Sequence, residues 1–186
     1  MTASDLLGAI VGALREAEIP FMLTGSLAAA AHGAGRATMD IDFVVDPTRA
    51  TLESFVQRML DDGRHVSPDA AREALKSRSM FNVVDVESSW KVDLMIRKDR
   101  PFSVEEFARR TELTFGSVRL PVATVEDLVL AKLEWARIGG SMRQIEDVRT
   151  LLQLTGPVFD RAHVVRWVGE LGVEAEWHAV ESNEDP

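Results

Sequence analysis

A chain of 186 residues, 46% hydrophobic and 27% charged, carries enough apolar material for a substantial core and has an ordinary charged surface. Its formal net charge of −9 argues against a broad, non-specific grip on nucleic acid, which needs a basic face, while leaving room for a local basic groove. It has no cysteine and only four scattered histidines, which excludes disulfides, thiolate metal sites and zinc-type ligand spacing.

Taken in order, residues from about Ser4 to Glu18 read as a helix, with Leu6, Leu7, Ile10, Val11 and Leu14 at helical spacing and Pro20 stopping it. Phe21 to Leu23 reads as a short strand, followed by a turn at Thr24-Gly25-Ser26 and a short alanine-rich helix from Leu27 to about His32, closed by Gly33 and Gly35. Met39 to Val45 is a second strand whose Ile41, Phe43 and Val45 face the core. Thr48 to about Leu60 is an amphipathic helix, and Pro68 to Lys76 a shorter, more polar one. Met80–Val86 and Trp90–Ile96 read as a hairpin around Glu87-Ser88-Ser89. Ser103–Arg110 is a short helix, and Glu112–Phe115 and Val118–Val122 flank the two-residue turn Gly116-Ser117.

After Val122 the chain reads as helical throughout. Thr124 caps a helix reaching about Arg137, with Asp127 at the capping-box position. Further helices span about Met142–Leu154, Asp160–Leu171 and Glu174–Val180. No apolar run is long enough to span a bilayer, and the N-terminus has no basic region leading into an apolar one. The expectation is a cytoplasmic α/β protein with no membrane partner. A mixed sheet flanked by helices would occupy 1–122 and a helical C-terminal part 123–186.

The chemistry concentrates between Thr24 and Val45. Asp40 and Asp42 alternate on one strand, so both carboxylates stand on one face, opposite Ile41 and Phe43. Adjacent anions repel, and a divalent cation is the simplest counter-charge for an oxygen-only ligand set. Asp93 repeats the pattern, with Lys91 and Met95 on its face and Val92, Leu94 and Ile96 on the other. If the two strands are neighbours, the three acids converge on one or two ions, an arrangement suited to phosphoryl or nucleotidyl transfer. The Gly25-Ser26 turn at a helix start offers backbone N–H groups and a hydroxyl to a phosphate.

This stretch resembles the DNA polymerase β-type nucleotidyltransferase superfamily. In that superfamily an apolar residue, then Gly-Gly or Gly-Ser, then a spacer, precedes Asp-x-Asp on a strand. Leu23-Thr24-Gly25-Ser26 and Asp40-Ile41-Asp42 match it, and Asp93 in Lys91-Val92-Asp93-Leu94-Met95-Ile96 matches the third carboxylate. The stretch Arg36-Ala37-Thr38-Met39-Asp40-Ile41-Asp42 is similar to small stand-alone bacterial and archaeal members, including the AbiEii-like toxin nucleotidyltransferases. The helix around Val125–Leu133 and the Arg143…Asp147 stretch resemble the segment C-terminal to the catalytic domain in that group, so the likeness covers most of residues 20–155. The minimal nucleotidyltransferases carry Ala-Arg-Gly after Gly-Ser, where this chain has Leu27-Ala28-Ala29.

The resemblance implies a nucleotidyltransferase that moves a nucleoside monophosphate from an NTP to an acceptor hydroxyl on RNA (tRNA included), protein or a small molecule. A toxin with a cognate antitoxin is one form this could take. Two Mg²⁺ ions, or Mn²⁺, would sit on Asp40, Asp42 and Asp93. Gly25 and Ser26 would hold the β- and γ-phosphates. Arg36, Lys91 and Lys132 are further candidates to touch the nucleotide, each with a structural reading beside it. Lys91 could pair with Asp93, and Arg36 could serve the fold. Lys132, on an apolar helix face, could pair with Asp147. Trp135, Trp167 and Trp177 read as core residues of helices rather than stacking platforms. The alternative to an enzyme is a nucleotide-binding or protein-interaction module on the same fold.

Overall fold

The computed structural model describes residues 3–35 and 38–182. The chain forms two compact units. The first comprises Met1–Leu27 and Ala37–Ala123, and the second Ala28–Arg36 and Thr124–Pro186.

The first unit is built on one seven-stranded mixed sheet. Its strands are β1 (Phe21–Thr24), β2 (Asp40–Val45), β3 (His65–Val66), β4 (Met80–Val84), β5 (Lys91–Ile96), β6 (Thr111–Phe115) and β7 (Val118–Val122), in the order β3-β4-β5-β2-β1-β7-β6. The pairs β2·β5 and β1·β7 are parallel. The pairs β1·β2, β3·β4, β4·β5 and β6·β7 are antiparallel. Ile41, Phe43, Phe81, Val83, Val92 and Leu94 are all buried on one face, as period-2 alternation requires. The ring of Phe21 meets Phe43 edge-on, with centroids 5.8 Å apart. Helix α1 (Ala3–Glu16) lies against β7 and α3 (Arg49–Asp61), and α4 (Pro68–Ser77) lies against α3, β4 and β5. Helix α3 starts at a full capping box, Thr48 with Thr51, and turns Leu52, Phe55, Val56 and Met59 inward. Helix α5 (Pro101–Arg109) connects β5 to β6. Ala123 N donates to Leu23 O at 2.9 Å, which prolongs the β1·β7 pairing by one residue.

The short helix α2 (Gly25–Ala31) begins at the end of β1. The second unit contains α6 (Val125–Gly139), α7 (Met142–Leu154), α8 (Arg161–Leu171) and α9 (Glu174–Ser182), with α6 packed against the other three. Thr124 caps α6, its hydroxyl accepting from Asp127 N. Gly140 ends α6 in the left-handed conformation. Asp127 departs from a strict capping box, because its carboxylate takes the Thr124 hydroxyl at 2.8 Å instead of reaching back to the cap backbone. Its other oxygen lies 2.8 Å from His163 Nε2 on α8. Asp127 is fully buried and His163 nearly so, and the pair ties α8 to α6. Among the described residues no helix is long and apolar enough to cross a membrane.

Candidate active site

The register of four strands places a row of polar side chains across the face of the sheet opposite the core. Thr24 of β1 is paired with Asp42 of β2, Asp42 with Asp93 of β5, and Asp93 with Asn82 of β4. Parallel β2·β5 pairing is what brings the first acidic strand beside the second, and it also sets Asp40 opposite Lys91. One residue row therefore runs Thr24–Asp42–Asp93–Asn82, with Asp40 and Lys91 two positions away along their strands. The apolar residues between them, Ile41 and Val92, are fully buried and pin the acids to the opposite face.

Gly25 explains how the turn and the acids come together. Its φ is +67°, a left-handed conformation that side chains rarely adopt. A Cβ there would also collide with the Asp42 carboxylate, with Asp42 Cγ 2.7 Å away. The glycine thus serves two needs at once, the sharp exit from β1 and the close approach of Asp42 to the start of α2. Thr24 and Ser26 on either side are buried, at 6% and 8% exposure.

The electrostatics are organised around Asp93, which is 8% exposed. One of its oxygens accepts a hydrogen bond from Asn82 Nδ2. The other lies 2.9 Å from Lys91 Nζ, and Asp40 Oδ1 is 3.8 Å from the same ammonium. The hydrogen bond to Asp93, joined by the charges of Asp93, Asp40 and Asp42, raises the Lys91 pKa above the ordinary lysine value against the opposing effect of burial. Among the described residues no set of three His, Asp or Glu side chains is gathered into a ready-made metal cage. The donors nevertheless suit a divalent ion: they are oxygens only, on neighbouring strands, and Gly25 sets no Cβ against the Asp42 carboxylate.

Lys132 of α6 is buried at 4% exposure, its ammonium 2.7 Å from Asp147 Oδ2 and 3.2 Å from Gln144 Oε1 on α7. Arg36 lies outside the described residues. Trp167 and Trp177 are buried, in keeping with a core role, whereas Trp135 is 52% exposed and is not a core residue. It sits on α6 away from the helix's buried positions Leu128, Val129, Lys132 and Leu133. Asn82 is a site residue that the sequence alone does not single out. Its one signal is its alternation with Met80 and Val84 on a strand paired to the Asp93 strand.

No protein-family model and no curated protein sequence matches the chain. Solved structures do. The solution structure of the antibiotic-resistance factor ANT(2'')-Ia has a TM-score of 0.59 at 16% identity, covering 96% of this chain and 95% of that one. The lincosamide antibiotic adenylyltransferase LnuA, solved with lincomycin bound, has a TM-score of 0.56 at 14% identity over 83% of this chain and 99% of its own. An antigenic nucleotidyltransferase-like protein from Paracoccidioides brasiliensis also scores 0.56 at 14% identity, over 95% and 89% of the two chains. At such identities the likeness establishes architecture, and the chain has the nucleotidyltransferase-type α/β fold, a mixed sheet flanked by helices.

Proposed function

We propose that the chain is a divalent-metal-dependent nucleotidyltransferase that moves a nucleoside monophosphate from an NTP to a hydroxyl of a small-molecule acceptor. The observation that carries this reading is the Thr24–Asp42–Asp93–Asn82 row with Gly25 set against the Asp42 carboxylate. The choice of a small molecule, with ATP as the first donor to try, is supported by the two antibiotic-modifying neighbours, one an adenylyltransferase and one solved with adenylyl-2''-tobramycin.

In this reading Asp40, Asp42 and Asp93 hold the ions, two Mg²⁺ or Mn²⁺. When bound, the ions neutralise charge on the triphosphate and on the phosphoryl group in transit. Gly25 N–H and the Ser26 hydroxyl hold the β- and γ-phosphates at the start of α2. Asp93, oriented by Asn82, receives the proton of the acceptor hydroxyl. The acceptor oxygen bonds to the α-phosphorus, the bond from that phosphorus to the β-bridging oxygen breaks, and pyrophosphate leaves.

The test is incubation of the protein with each α-³²P-labelled NTP, Mg²⁺ and whole-cell extract, followed by separation of small molecules, RNA and protein. Label in the small-molecule fraction, absent with Asp42→Ala, is the expected result. Label in tRNA or in a protein would replace the small-molecule acceptor with the macromolecular one that the AbiEii-like resemblance implies, and would direct attention to a cognate antitoxin. Nucleotide binding without any labelled product would reduce the chain to a binding module.

A further inference from the structure

The carboxylate site already contains a cation. Lys91 Nζ lies 2.9 Å from Asp93 Oδ2 and 3.8 Å from Asp40 Oδ1, so a single ammonium bridges acids of two neighbouring strands. The two oxygens of Asp93 are engaged differently. One accepts from Asn82, a neutral group fixed on the paired strand β4. The other is held by Lys91, whose four-carbon stem is flexible and whose side chain is 41% exposed. A divalent ion reaching Asp93 would meet the ammonium at close range and be repelled by it. The neutral Asn82 contact presents no such conflict. The lysine is the group that must move, and its exposure gives it somewhere to go.

Building on the metal-binding reading above, we propose that Lys91 is an internal competitor for the divalent ion: its ammonium occupies the cation position between Asp93 and Asp40 and leaves Asp93 when the ion binds. Lys91 then holds mutually repelling carboxylates together in the metal-free protein and weakens the site's affinity for the ion. It is a positioning residue, and its signature is the sign of its effect. A lysine whose charge only supported the fold would leave metal binding unchanged or weaker when removed.

The experiment measures Mn²⁺ affinity, without nucleotide, from the electron paramagnetic resonance of free Mn²⁺. The proteins are the unaltered chain, Lys91→Met, which keeps the stem and drops the charge, and Lys91→Arg, which keeps the charge. Lys91→Met is expected to bind Mn²⁺ roughly three- to tenfold more tightly. This is the repulsion of one charge on two at about 5 Å in water, reduced because the stem can swing away. Lys91→Arg is expected within about twofold of the unaltered chain. Unchanged or weaker binding by a folded Lys91→Met overturns the proposal. A second measurement on the unsubstituted sequence guards against a variant that fails to fold. The chain has four lysines, and reductive ¹³C-methylation gives each a resonance while keeping its charge. Mg²⁺ is expected to shift the Lys91 signal, assigned by its loss in Lys91→Arg, and to leave those of the exposed Lys76 and of Lys98 in place. A Lys91 signal that stays put at saturating Mg²⁺ overturns the proposal. Asp42→Asn separates the two levels of inference. If Mn²⁺ binding does not depend on Asp42, the metal-binding reading fails and takes the proposal with it. If binding depends on Asp42 but Lys91→Met is no tighter, the proposal alone fails.

Discussion

Replacing Gly25 with alanine tests the geometry of the site without substituting a carboxylate. Two separate penalties apply. Holding an alanine at a φ of +67° costs about 1–2 kcal/mol. The new Cβ must also displace the Asp42 carboxylate, whose Cγ would stand 2.7 Å away, and overpacking of this kind costs about 1–3 kcal/mol. Together they predict about 2–5 kcal/mol of destabilisation, a fall in Tm of roughly 4–20 °C for a chain of this size. Gly12→Ala is the matched control. Gly12 lies inside α1, has no atom within 4 Å of its would-be Cβ, and should gain about 0.5–1 kcal/mol from the same substitution. The cause can be isolated by repeating Gly25→Ala in an Asp42→Ala background, where the carboxylate is gone and the Cβ of residue 42 stays 2.9 Å away. A coupling energy of about 1 kcal/mol or more is expected between the two positions. A Gly25→Ala protein that melts within about 1 °C of the unaltered chain, or a double-mutant cycle with no coupling, would refute the claim that Gly25 and Asp42 are pressed together.

Four other substitutions probe the rest of the fold. Lys132→Met should cost about 3 kcal/mol, because it strips the ammonium from Asp147 in a largely buried pair, and Lys132→Met with Asp147→Leu should restore most of that; urea unfolding checks both, and a neutral single variant would sink the ion-pair reading. His163→Ala should cost about 1–3 kcal/mol by removing the ring that meets the fully buried Asp127 carboxylate, read from the fluorescence of Trp135, Trp167 and Trp177 in the same unit; a change below about 0.5 kcal/mol would contradict it. Asp85 has its pKa lowered, chiefly by the hydrogen bond from the Ser88 hydroxyl, against burial. A lowered folded-state pKa gives stability that is present above the unfolded value near 3.9 and lost as pH falls through the folded value. The stability gap between the unaltered chain and Asp85→Asn should therefore be constant above about pH 5 and shrink below about pH 4; a gap that widens on acidification would reverse the sign of the argument.

The parts of the site that can be read from the sequence are those governed by local rules. Alternation fixes Asp40 and Asp42 on one strand face, and the same rule carries over to Asp93 because Val92, Leu94 and Ile96 mark the buried side. Gly25 is legible as a turn, although its contact with Asp42 is not, since that depends on β1 pairing antiparallel to β2. Asn82 shows where the rule stops. A hairpin with strands ending at Val86 and beginning at Trp90 would set Val83 opposite Asp93. The observed register sets Asn82 there. The one-residue difference comes from the turn, where Ser89 takes a φ of 60° and Asp85 binds Ser88 through its side chain and Ser89 and Trp90 through its backbone. A slip of one residue turns every side chain of a strand to the other face, so the turn chemistry decides whether Asp93 has this partner. The role of Asp127 is legible as far as the cap and no further, because His163 lies 36 positions along the chain and only the packing of α8 on α6 brings it near. The two-residue strand β3 is too short to leave any periodicity.

The proposed function stands or falls on Asp42 holding metal for nucleotidyl transfer. The decisive assay is pyrophosphate release from NTP in the presence of Mg²⁺ and a small-molecule extract, comparing the unaltered chain with Asp42→Ala and confirming by thermal unfolding that the variant is folded. Mg²⁺-dependent release is predicted for the unaltered chain. Asp42→Ala should lose about 10²–10³-fold, the scale at which removal of a preorganised charge-stabilising group is felt. A folded Asp42→Ala protein that releases pyrophosphate at the full rate would contradict the proposal.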